Sequence, residues 1–141
     1  MKNAKWMLPV MLMLLSGLMA AQSLASSTVV AQVPFEFMAN NKVIPAGECI
    51  VKSADMDARV LAISNVGAKE SLLAQSSRNE SRQASDRTVL IFNHYGSQYF
   101  LSEIRVEGSK DSYKLSESRA EAELRAQNAP ASKQTLLASI K

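Results

Sequence analysis

One cysteine and one histidine stand among 141 residues. A lone cysteine excludes a disulfide framework within the chain, and with a lone histidine it leaves no ligand set for a zinc cluster. Proline and glycine are scarce, at four and five, which excludes collagen-like and low-complexity chains. Charged residues make up 21% and apolar ones 47%, the balance of a folded domain rather than a disordered one. Apolar stretches are short, so the chain is not a multi-span membrane protein. The length fits one domain.

The N-terminus carries the pattern of an export signal. Lys2 and Lys5 form a positive start, and an uncharged run from Trp6 to Ala21 follows, broken only by Ser16 and Gly17. Ser23-Leu24-Ala25 then places small residues at −3 and −1 of a cut after Ala25, the order that a secretory signal peptide needs. A second cut, after Ala21, would put the bulkier Met19 at −3. The apolar run is shorter than the ~20 residues of a spanning helix, so cleavage is expected and no transmembrane span is expected after it. The expected organisation is a signal peptide over 1–25, one β-rich domain ending in a helix over 26–127, and a tail over 128–141 that is mobile or a short helix. Removing Lys2 and Lys5 from 16 basic residues against 13 acidic ones leaves the mature chain near neutral. That balance gives no electrostatic case for binding nucleic acid.

The mature chain reads as short strands followed by a helix. Val33-Pro34-Phe35-Glu36-Phe37 alternates like a half-buried strand, and Pro34, which cannot donate to a ladder, puts it at an edge or marks its beginning. Turn residues at 39–42 separate it from Val43-Ile44, and Pro45-Ala46-Gly47 is a second turn. Cys49-Ile50-Val51 and the run from Ala58 to Ser64 are two further strands, while Ser71 to Ala74 fits a strand or a short helix. Ser76 to Arg87 holds no apolar side chain but Ala84 and reads as a long exposed loop. Thr88 to Phe92 and Tyr99 to Ile104 face each other across His94-Tyr95-Gly96-Ser97, a hairpin. Ser118-x-x-Glu121 has capping-box spacing, Glu121 and Arg125 stand four apart in favourable order, and Pro130 ends the helix. The fold class is therefore mainly β: a small antiparallel sandwich or barrel with a C-terminal helix.

Few residues offer chemistry. His94, as the sole histidine, would carry any general base or metal site near neutral pH, but no nucleophile motif accompanies it and an exposed turn position explains it. Cys49 could bridge two chains in an oxidising compartment, yet its place on a strand favours a small core residue. Asp55-x-Asp57 lacks the further oxygens and glycine of a calcium loop. The carboxylates of 117–123 read as an exposed helix face. Arg78, Arg82 and Arg87 are diluted by Glu80 and Asp86, and Asn79-Glu80-Ser81 matches a glycosylation sequon by chance. The aromatics Phe35, Phe37, Phe92, Tyr95, Tyr99 and Phe100 either line an apolar ligand site or fill the core, and their alternation favours the core.

Val33-Pro34-Phe35-Glu36-Phe37, Ile44-Pro45-Ala46-Gly47-Glu48, Phe92 to Ile104 and Leu115 to Glu121 occur in one order. In this the chain resembles a family of short exported bacterial proteins with V-P-F-x-F, L-P-A-G-x-Y and F-x-R-Y-G-x-x-Y-F-L motifs, closed by S-R-A-E-x-E-L. The resemblance spans roughly residues 33–124. It implies export and a small β-rich fold, and it brings no catalytic residue, since the family has no assigned activity. Cys49 stands where the family has tyrosine, which suits a packing role, and His94 stands where it has arginine, which weakens a catalytic one.

Together these readings lead to an expected function: a non-enzymatic protein of the periplasm or cell exterior that binds an envelope partner or an apolar small molecule, without a cofactor. Two alternatives stand beside it, a structural or adhesive part of an envelope assembly and a minor hydrolase using His94. A Cys49-linked dimer is a further, weaker expectation.

Overall fold

The computed structural model describes Leu24 and residues 27–141. The expected signal segment and its cut lie outside the described residues except at Leu24.

Among the described residues eleven strands and one helix follow in order: β1 (Thr28–Val33), β2 (Phe37–Ala39), β3 (Lys42–Ile44), β4 (Gly47–Ser53), β5 (Val60–Asn65), β6 (Glu70–Glu80), β7 (Val89–Tyr95), β8 (Gln98–Arg105), β9 (Asp111–Leu115), α1 (Arg119–Ala126), β10 (Ser132–Leu137) and β11 (Ser139–Ile140). Hydrogen-bonded neighbours run β10-β7-β8-β9-β6-β5-β4-β1-β11, and the path does not close into a barrel. The pairings along it are antiparallel, while β2 meets β8 in parallel at Met38↔Phe100. The protein is thus mainly β, one mixed sheet folded into a sandwich-like pair of layers.

The long strand β6 makes the fold-over. Its first half, through Gln75, pairs with β5, and its second half, from Ser76, pairs with β9. The tail does the same on the other side: β10 pairs with β7, β11 pairs with β1, and only Ala138 separates them. Both ends of the sheet path are therefore made by one continuous segment.

Between the layers, alternate residues point inward as a pleated strand requires. Val29, Ala31 and Val33 of β1 meet Cys49 and Val51 of β4 and Leu61 and Ile63 of β5, opposite Leu90, Phe92, Leu101, Ile104 and Tyr113. Each such large apolar side chain contributes about 1.5–3 kcal/mol of burial. The β2–β3 hairpin bridges the layers. Its turn needs two left-handed residues, and Asn40 (φ 46°) and Asn41 (φ 63°) supply them. Its side chains reach β6, where Asn40 Nδ2 and Lys42 Nζ donate to the Leu73 and Ser71 carbonyls at 3.0 and 2.9 Å. Asn65 ties two turns together: Nδ2 donates to Pro45 O at 2.8 Å, and Oδ1 accepts from Ala68 N–H at 2.8 Å.

Several expectations are corrected. Val33 to Phe37 is not one strand: β1 ends at Val33 and β2 begins at Phe37, because Pro34 has no N–H to continue a ladder. The expected loop over 76–87 is strand as far as Glu80, since β6 pairs its backbone with β9 while its side chains stay in water. His94 and Tyr95 belong to β7, and Gly96 (φ 60°) and Ser97 alone make the turn. The tail holds no short helix but the strands β10 and β11. Helix α1 has Ser118 as its N-cap, but its ion pairs are Arg119–Glu123 at 3.4 Å and Arg125–Glu117 at 3.1 Å, not Glu121–Arg125.

Candidate functional site

Alternation on β7 and β8 sorts the aromatics onto two faces. Phe92, His94, Tyr99 and Leu101 lie on the inner face, while Asn93, Tyr95 and Phe100 lie on the outer one. A register shift between Ile91 and Phe92 keeps that division across the hairpin.

On the inner face the rings form a continuous ladder. His94 stacks on Tyr99 with centroids 4.0 Å apart, and Tyr99 stacks on Phe35 at 3.7 Å. Phe35 meets Phe92 edge-on at 5.0 Å, and Phe92 meets Phe37 edge-on at 5.2 Å. Phe37 and Phe92 are fully buried, whereas Phe35, Tyr99 and His94 are half-buried near the β7–β8 turn. Beside that outer end lies a cleft of about 260 Å³. Phe35, Phe37, Met38, Val43 and Tyr99 line it, with Glu36, Ser97 and Gln98 at its polar edge. Val43 is 43% exposed there, an apolar side chain left uncovered.

On the outer face α1 buries a charge. Glu121 is only 6% exposed. Its N–H donates to Ser118 Oγ at 3.1 Å, which is one arm of the expected capping box. The other arm is absent from its usual place, because the carboxylate turns to the sheet. There Oε1 accepts from Asn93 Nδ2 at 2.6 Å and from Tyr95 OH at 3.3 Å. Burial raises the Glu121 carboxyl above the usual range, with Glu117 adding to the rise, and the Asn93, Tyr95 and Arg125 contacts do not cancel it. Burial and Glu121 together raise the Tyr95 phenol. The expectation that residues 117–123 form a uniformly exposed acidic face is therefore corrected at Glu121.

A second buried carboxylate behaves in the opposite way. Glu103 of β8 is 5% exposed, and burial works to raise its pKa. The Arg105 guanidinium, 2.9 Å away, overcomes this with help from Ser112 and Lys114, and the group lies below the usual carboxylate range. Arg105 also borders a wider, open cleft of about 740 Å³ beneath the loop 81–88, with Arg82, Arg87 and Lys110 set against Asp86 and Asp111. Arg78 lies on β6 and pairs with Asp111 at 4.0 Å, while Arg82 and Arg87 line the cleft itself.

The remaining candidates fall apart spatially. Asp55 closes its own turn, its Oδ1 accepting from Arg59 N–H at 2.9 Å. Asn79 is an exposed residue of β6. Cys49 is fully buried between β1 and β5, and burial pushes its thiol up to about 12. Among the described residues, no group of three or more His, Cys, Asp or Glu is arranged to hold a metal ion, and no helix is long and apolar enough to cross a membrane.

Of the six aromatics singled out by sequence, Phe37 and Phe92 are in the core between the layers, Phe100 is buried on the outer face against Tyr95, and Tyr95 is the buried partner of Glu121. Phe35 and Tyr99, both half-buried, reach a surface cleft that the buried Phe37 also lines. Sequence reasoning missed Val43 and Met38 on its wall and Glu121 under the helix. Compared with protein-family models, with curated proteins and with solved structures, the chain matches none.

Proposed function

We propose that this chain is an exported, non-enzymatic binding protein whose aromatic cleft receives one ring-sized apolar group of an envelope partner. The observation that carries the reading is the cleft's apolar wall, in which Val43 is exposed, Met38, Phe35 and Tyr99 are half-buried, and the last two rings stack on each other. Ordered rings give apolar contact at little further entropic cost. The volume of about 260 Å³ suits a single aromatic or branched side chain rather than a lipid. Glu36 and Gln98 at the edge offer acceptors to a group that also carries a donor, as an indole does.

The non-enzymatic part of the reading draws on His94. Its ring is packed face to face on Tyr99, an arrangement suited to packing, whereas a general base has to meet a nucleophile. Kinship with the exported bacterial family belongs to the same proposal, which export and the lack of a nucleophile motif support at the level of sequence.

The test is a titration of the folded protein with indole, followed by backbone amide chemical shifts. Saturable changes confined to Phe35, Val43, Ser97 and Tyr99, and weakened at least tenfold by Val43→Glu, are expected. Absent or evenly scattered changes would overturn the reading. Turnover of an ester substrate that His94→Ala abolishes would replace it with the hydrolase alternative.

A further inference from the structure

Leu24 precedes β1 and is fully buried in the core between the layers. Its backbone N–H donates to the Tyr113 hydroxyl at 3.3 Å, and its carbonyl accepts from Ser27 N–H at 3.4 Å. Tyr113, on β9, is itself 1% exposed and is among the largest of the fully buried side chains. One leucine thus fills space between the layers and gives a buried phenol its partner.

This conflicts with the cut that small-residue spacing favours. Cleavage after Ala25 would discard Leu24, leaving a leucine-sized void and removing the donor from the Tyr113 oxygen. Voids of that size destabilise a core well beyond the loss of transfer energy, and a buried polar atom stripped of its partner adds to the penalty. A signal peptide is removed from the mature chain, so a side chain that completes the core belongs to what is kept.

The geometry points to a processing site upstream of Leu24, after Ala21, so that the mature protein begins at Gln22 and retains Leu24 as its first core residue. The inference rests on the export reading. The reaction is hydrolysis of the Ala21–Gln22 peptide bond. Water supplies the hydroxyl that makes the Ala21 carboxylate, and the released amine of Gln22 takes up the proton. The substrate class is an exported chain with alanine before the scissile bond, and bulky Met19 at −3 makes it a slow one.

The experiment expresses the full chain with its own N-terminus and measures the intact mass of the exported product. A start at Gln22 is expected, with processing blocked by Ala21→Leu and unchanged by Ala25→Leu. A start at Ser26, with processing blocked by Ala25→Leu, overturns the inference and leaves export standing. An uncut chain beginning at Met1 overturns both. A second measurement reads the same point through stability: Leu24→Ala in the exported protein lowers its Tm by roughly 10 °C if Leu24 is retained. It changes nothing if Leu24 has been removed, and that result also overturns the inference.

Discussion

Asn93 Nδ2 donates to Glu121 Oε1 at 2.6 Å, joining strand β7 to helix α1 across 28 positions of sequence. Local rules place Glu121 at the third helical position, where a carboxylate is ordinarily solvated and favoured by the helix dipole. Here the same residue is the bolt between helix and sheet.

Burial raises the Glu121 carboxyl in the native state. The unfolded chain therefore gives up that proton first as pH rises, and stability falls between the ordinary carboxylate value of about 4.3 and the higher native one. Glu121→Gln removes the charge and keeps an oxygen that accepts from Asn93 and Tyr95. The expected result is a higher Tm than the wild type at pH 7 and equal values near pH 4, read by calorimetry across that range.

Glu103 has the opposite sign. Its carboxyl lies below the usual range because Arg105 outweighs burial, so its contribution is present above about 4.3 and lost as pH falls through the native value. Glu103→Gln is expected to cost about 1–3 kcal/mol at pH 7 by leaving Arg105 and Ser112 poorly matched. Urea titrations at pH 7 and pH 3 check this, with the difference shrinking at the lower pH.

Cys49 is expected to be inert in the folded protein. Its thiol is buried and pushed up to about 12, and the thiolate is the reactive form. Labelling with a disulfide reagent should follow global unfolding, and non-reducing electrophoresis should show no linked dimer. Rapid labelling of native protein would bring the Cys49-bridged assembly back.

Deleting residues 132–141 should uncover the free sides of β1 and β7 together, since β11 and β10 cover them. Bare strand edges template association. The truncated chain is expected to elute as oligomers in size-exclusion chromatography and to lose the cooperative thermal transition of the full chain.

The β7–β8 hairpin was legible in sequence because two β-branched and aromatic runs flank Gly96, and β4 and β5 were legible from the turns that bound them. β1 was not, because Thr28 to Gln32 lacks alternation and follows directly on the expected signal. The second half of β6 escaped because it is held by backbone pairing with its polar side chains mostly in water, and β9 escaped because Tyr113 is the one large apolar side chain it buries, between polar neighbours. Leu136, Leu137 and Ile140 suggested a helical turn, yet their spacing serves two strands broken at Ala138. The aromatic set contained Phe35 and Tyr99, but only the hairpin β2–β3 brings Met38 and Val43 beside them. Glu121 looked complete as a capping residue, and nothing in its neighbourhood of sequence signals a partner on β7.

Val29 is in register with Ile140, two positions from nearly opposite ends of the described chain. Gathering a loop on the order of a hundred residues imposes a large closure entropy before that contact returns anything. Topologies dominated by such distant pairings fold in milliseconds to seconds rather than microseconds. The pairing of β11 with β1 is therefore expected among the slow steps of folding, and a sheet still lacking it would present bare strand edges to its neighbours.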